Sequence, residues 1–224
     1  MTVTDDRGGP RLGRGAPGVG DVEAISASAL QQDSPERQKA LDYLTVRAEA
    51  MPAEQVIARF RAAVGEFEAL IDQMDERDAR RALIPGEWTA AQVVDHLAQT
   101  TARNADEVRH LLEGRRPPAP PVYEALVSGA AHRVPWNELK AELAEANAEL
   151  AQLLARATRQ EPKAGLTIRT ILIINRTLAD GTVEPEQFDA ELGWKGYALT
   201  ARLHLLDHRT QVKKLLHARG ESQS

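Results

Sequence analysis

The chain has 224 residues, 27% of them charged, with a net charge of −5 and no cysteine. That length suits one substantial domain with room for a tail. Interspersed charges of both signs offer no basic face to a nucleic acid, and the lack of cysteine removes disulfides, thiolate ligands, iron–sulfur clusters and thiol nucleophiles.

Aromatic residues are only 4% of the chain. A sequence poor in rings and rich in Ala, Leu and Glu packs as helices more readily than as a β-sandwich, so the expected class is all-α. The opening "MTVTDDRGGPRLGRG" has no apolar segment of the secretory kind. The longest aliphatic run, Ile171 to Ile174, is far too short to cross a bilayer. A cytoplasmic protein with neither a membrane nor a nucleic-acid partner is expected.

Residues 1–33 are dense in Gly and Pro with scattered apolar residues, and read as a disordered N-terminal tail. The folded domain is expected over 34–220. Ser34 is placed to cap a helix with Pro35 at its first position, running to about Ala50. After Pro52, the residues Val56, Phe60, Val64, Phe67, Leu70, Ile71 and Met74 recur at helical spacing and predict one apolar stripe. Thr89 and Gln92 form a capping-box pattern ahead of Val93, Val94, Leu97, Ala105, Val108, Leu111 and Leu112, with Gly114 as the stop. A proline-rich connection, "RRPPAPPVYEALVSGAAHRV", leads to a helix from Trp136 to about Thr158, marked by Leu139, Leu143, Ala146, Leu150, Leu153 and Leu154.

The stretch "LTIRTILIINRTLADGTVEPE" is rich in β-branched residues and carries Asp180–Gly181, which predicts a β-hairpin. A helical stripe is the alternative for the same residues. The last element, "GYALTARLHLLDHRTQVKKLLHARG", is helical and ends in basic residues and Gly220. Four long amphipathic helices so connected predict a four-helix bundle with a small hairpin inserted before the last helix.

On that last helix Tyr197, Ala201, His204, His208, Gln211 and Leu215 share one seam. His204 and His208, four residues apart, therefore face the bundle, where an imidazole needs a hydrogen-bond partner or a metal. His96 flanks the apolar stripe of "QVVDHLAQ" and is the third candidate. Three neutral imidazoles from two helices suit a divalent transition ion with a position left open. Hydrogen-bonded core histidines with no metal are the alternative. His110 lies 14 residues beyond His96, ~21 Å along the same helix, too far to share its ion. His217 sits in a terminal turn. His132 precedes Trp136 in a loop and is a candidate for a pocket rim, as Gln211 is for a pocket hydrogen bond. Trp88 reads as a packing residue at a helix entry. Asp95 and Asp207 each precede a candidate histidine and point ~100° away from it, so neither is expected to orient its neighbour's ring directly. Asp207 reads as a surface ion-pair residue, with support of a histidine on another helix as the alternative.

"PGEWTAAQVVDHLAQT" resembles the conserved block of the DinB-like (DinB/YfiT) superfamily, in which a tryptophan precedes a helix bearing a metal-ligand histidine. "YALTARLHLLDHRTQVKKLL" is similar to that superfamily's closing H-x3-H helix, typically followed by a glutamine. The two blocks stand about 100 residues apart in the right order, and the resemblance spans roughly Ala53 to Ala218. It implies a four-helix bundle holding a metal, often zinc or nickel, on His96, His204 and His208. It also implies a homodimer and a small-molecule substrate. Characterised members include thiol-S-transferases and mycothiol-dependent isomerases, so transfer of a low-molecular-weight thiol to an electrophile is the favoured activity. Arginine outnumbers lysine 22 to 6, which fits a GC-rich genome, and an actinobacterial one would supply mycothiol. Hydrolysis by a metal-activated water and a non-catalytic, stress-associated metal-binding module are the alternatives. No obvious general base is present, which weighs against the hydrolase.

Overall fold

A computed structural model describes residues 34–221; the tail expected over 1–33 lies outside them. The chain enters helix α1 (Pro35–Asp42) at Ser34, whose Oγ accepts the Arg37 N–H at 3.1 Å, so the expected cap is in place. A π-helical turn, Tyr43–Arg47, and the short α2 (Ala48–Ala50) continue the same rod. The wide turn, which apolar periodicity does not disclose, faces the start of the last helix. A Cβ added at Gly196 would stand 2.0 Å from the Leu44 carbonyl oxygen.

Helix α3 (Ala53–Ile71) buries Val56, Phe60, Phe67, Leu70 and Ile71. Removing each of the two phenylalanine side chains from water contributes ~1.5–3 kcal/mol. Two members of the expected stripe depart from it. Val64 is only partly buried at the edge of the face, and Met74 is buried but lies in the turn past the helix end. That turn leads into a short helix absent from the sequence reading, α4 (Glu76–Arg80), capped by Asp75 accepting from Asp78 N–H at 2.8 Å. Five residues are too few for apolar periodicity to show.

Helix α5 (Ala90–Leu112) starts on the expected capping box. Thr89 Oγ1 accepts the Gln92 N–H at 3.2 Å while Gln92 Oε1 accepts the Thr89 N–H at 2.9 Å. Gly114, at φ 74°, follows the helix end. Helix α6 (Trp136–Arg159) buries Leu139, Leu143, Ala146, Leu150 and Leu154, and its first residue anchors it through Trp136 Nε1–H to the Met74 carbonyl at 3.0 Å.

Strands β1 (Ile168–Thr177) and β2 (Val183–Leu192) pair antiparallel, from Ile168 opposite Leu192 to Thr177 opposite Val183. Gly181 at φ 83° supplies the turn's left-handed residue, and Asp180 Oδ1 accepts the Thr182 N–H at 2.9 Å. Ile168, Leu172, Phe188, Ala190 and Leu192 are buried, whereas Ile173 is exposed. Half-burial of this kind selects the strand over the helical alternative. Helix α7 (Trp194–Glu221) closes the chain.

The result is a mostly helical fold with a small antiparallel hairpin before the last helix. Helix α5 packs on α6 and α3 on α7, and the pairs meet through α3 with α6 and α5 with α7. No helix among the described residues is long and apolar enough to cross a membrane.

Candidate metal centre

Helices α5 and α7 meet at three histidines. His96 lies near the start of α5, where the capping box fixes the first turn, and His204 and His208 lie one turn apart on α7. The Nε2 atoms of His96 and His208 each stand 3.0 Å from Nε2 of His204. One ligand atom from each ring falls within 4.8 Å of the others. Two nitrogens bound ~2.1 Å from a shared ion lie at most ~4.2 Å apart, so both 3.0 Å separations suit a common ion.

Each outer ring is held from its far side. His96 Nδ1 lies 2.9 Å from the Leu126 carbonyl, which can only accept, so this nitrogen carries the proton. His208 Nδ1 lies 2.9 Å from Gln211 Oε1 and donates to it. Neutral His96 and His208 therefore both present bare Nε2 lone pairs to His204, and His204 Nε2 has at most one proton to offer. At least one of the two contacts then sets lone pair against lone pair, which a cation between them relieves.

An extra proton is poorly tolerated here. Burial pushes His208 down to about 4, with the charge of His96 acting in the same direction and the Gln211 hydrogen bond opposing. His204 falls well below the usual histidine range through burial, then through His208 and His96. His96 is lowered by burial, against the pull of the Leu126 carbonyl and the Asp95 charge. The three rings are thus kept neutral and ready to coordinate at physiological pH. Trp88, half-buried, packs edge-on to His96 with ring centres 5.1 Å apart and stacks at 6.2 Å from His208. It is a packing residue whose partners are the candidate ligands themselves.

The proline-rich connection is a strap across this centre. Asp95, 1% exposed, accepts from Ser128 Oγ at 2.5 Å, Ser128 N–H at 3.2 Å and Gly129 N–H at 3.1 Å. Further along, Arg80 donates to the carbonyls of Ala131 and Val134. On the other side, Arg103 Nη2 donates to the Pro120 carbonyl at 2.6 Å and Tyr123 Oη donates to Asp189 Oδ1 at 2.8 Å on β2. Because the strap covers the outer side of α5, Val93 through Ala98 are all buried.

Gln211 touches the centre through His208, and His132 sits exposed in the short 3-10 turn Ala130–His132. His110 donates to the Asp106 carbonyl at 2.9 Å, far along α5, while His217 and Asp207 are exposed. Neither the strap nor Asp95 emerges as a feature of the site in the sequence analysis. The available signal was a carboxylate inside an unbroken run of core residues, "VVDHLA". A second polar group also went unread: Tyr197 Oη donates to the buried Glu107, which pairs with Arg103 at 2.8 Å, and lies 2.7 Å from Asn104 Oδ1. Burial, then the Glu107 charge, pushes the Tyr197 hydroxyl well above its ordinary range.

No curated protein and no solved structure matches the chain. The family model of the DinB superfamily matches residues 42–172, more than half of the chain, taking in Trp88, His96, Asp95 and the strap. The chain belongs to the DinB superfamily.

Proposed function

We propose that His96, His204 and His208 hold a divalent transition ion, zinc or nickel, and that the protein transfers a low-molecular-weight thiol such as mycothiol to an electrophilic small molecule. The observation that carries this reading is the convergence of three Nε2 atoms whose outer rings are pinned through Nδ1–H, so that the bare lone pairs face one another. A bound ion would supply Lewis acidity, which favours ionisation of a thiol. The chain's own contribution is to keep three imidazoles neutral by burial, to fix the tautomers from outside, and to wall the centre with Trp88. The regular four-helix bundle and the homodimer belong to the same reading.

Transfer is favoured over hydrolysis by the state of Asp95, the buried carboxylate beside His96 in the chain. Both oxygens of Asp95 accept hydrogen bonds from the strap, which leaves it poorly suited to take a proton from water. The test is metal content per chain by mass spectrometry, followed by a screen of thiols against electrophiles. About one transition metal per chain, with thiol-dependent turnover lost in His204→Ala, supports the proposal. Metal without turnover in any thiol leaves the non-catalytic metal-binding module, and turnover without thiol leaves the hydrolase. Light scattering tests the dimer, which a mass near 24.5 kDa rejects.

A further inference from the structure

We propose that Asp95 is a positioning residue for the metal centre, acting on His96 through the strap rather than by contact. The inference rests on the metal reading of the three histidines. Successive helical residues point ~100° apart, so Asp95 faces away from the ring of His96. The strap closes that angle. Asp95 holds the Ser128 and Gly129 amides, and two residues earlier the Leu126 carbonyl takes the His96 Nδ1 proton at 2.9 Å.

Residues 121–128 belong to no helix or strand, so no regular backbone pairing fixes the Leu126 carbonyl. Asp95 replaces it. A carboxylate that is 1% exposed is costly to bury unless its lone pairs are filled. Here one hydroxyl and two backbone amides fill them, and Ser128 Oγ in turn accepts the Ala130 N–H at 3.1 Å. Gly129, at φ 74°, allows the backbone to turn both amides onto one side chain. Such an arrangement sets both the rotation of the His96 ring and which nitrogen is bare. Outer-shell partners of this kind change metal affinity by about 10–100-fold when removed.

The experiment uses full-length protein freed of metal, with Co2+ as the probe and Asp95→Ala, Asp95→Asn and Ser128→Ala as variants. Co2+ affinity and its visible ligand-field bands are measured beside the melting temperature of the metal-free form. Asp95→Ala is expected to weaken Co2+ binding about 10–100-fold with altered bands. Asp95→Asn, which retains an acceptor, should recover part of the affinity, and Ser128→Ala, which retains both backbone donors, should lose least. A fall in melting temperature with Co2+ affinity and bands unchanged would make Asp95 a stability residue only and overturn the proposal. If Asp95→Ala does not fold, the other two variants carry the comparison. If the wild type takes no Co2+, the metal reading fails by itself. Nitrogen-15 NMR of the imidazoles in metal-free protein then decides the Asp95 inference: a single Nδ1–H tautomer at His96 that becomes mixed in Asp95→Asn upholds it, and an unchanged tautomer removes it.

Discussion

Acid should destabilise the metal-free protein through His208, and the size of the effect follows from its surroundings. The ring is buried against His204, His96 and Trp88, which moves it from the ordinary histidine value of about 6.5 down to about 4. Between those two values the unfolded chain carries a proton on this residue that the folded chain refuses. Stability therefore rises with pH across the window and is lost as pH falls through it. A span of ~2.5 pH units at 1.36 kcal/mol each gives a loss of about 3 kcal/mol, a large part of the 5–15 kcal/mol typical of a domain. His204 and His96 shift the same way and add to it.

Carboxylates elsewhere also titrate in this range, so the measurement has to be a difference. Urea unfolding of metal-free wild type and His208→Gln, followed by circular dichroism from about pH 7 to about pH 4, isolates the residue. Glutamine keeps polar bulk in the site but has nothing to titrate. The wild type should lose about 3 kcal/mol more than the variant across the window. Parallel profiles would mean that His208 is protonated as easily in the fold as out of it, and the argument for a neutral, ion-ready centre would fall with them.

Saturating zinc at about 100 times its dissociation constant should add ~2.7 kcal/mol to wild-type stability, and none to a His204→Ala/His208→Ala variant, as read from thermal melts. Because burial lowers all three rings, zinc affinity measured by chelator competition should fall less between about pH 7 and about pH 5 than it would for exposed histidines. Gly196→Ala should destabilise by about 1–3 kcal/mol or more in urea, since its new methyl meets the Leu44 carbonyl, whereas Gly65→Ala, with open space around it on α3, should stabilise by ~0.5–1 kcal/mol. Tyr197→Phe should cost about 1–3 kcal/mol by the same assay, because it removes a donor from the buried Glu107.

What the sequence could and could not disclose follows from the range over which each interaction acts. Thr89 and Gln92 are three residues apart, and so are Ser34 and Arg37, so both caps are visible locally. The hairpin is legible because β-branched residues flank Asp180–Gly181. The candidate ligands on α7 are one turn apart, and helical periodicity alone turns them inward. Asp95 and Ser128 are 33 residues apart and joined by a segment with no period at all, so nothing local announces their contact. The same is true of Glu107 and Tyr197, 90 residues apart, and of Gly196 beneath Leu44. The Gly196 approach depends on a π-helical turn that residue preferences do not encode.

Of these contacts, the one between Glu107 and Tyr197 lies where α5 meets α7. The most extensive helix pairs, α5 with α6 and α3 with α7, bury apolar side chains and add the ion pairs Arg109–Glu149 and Arg209–Glu66, while the side of α5 that meets α7 carries His96, Asn104 and Glu107 opposite His208, His204 and Tyr197. The α5–α7 seam is thus polar at both ends: three imidazoles at one, and a carboxylate shared by Arg103 and Tyr197 at the other. An apolar seam would pack with less desolvation cost. The end with Glu107 closes on itself, its charge matched by Arg103 and its oxygen by the Tyr197 hydroxyl. The end with the histidines does not, because the rings bring more lone pairs than protons. A cation held by the three rings would relieve that imbalance, which sets this end apart from the self-satisfied polar cluster built on the same two helices.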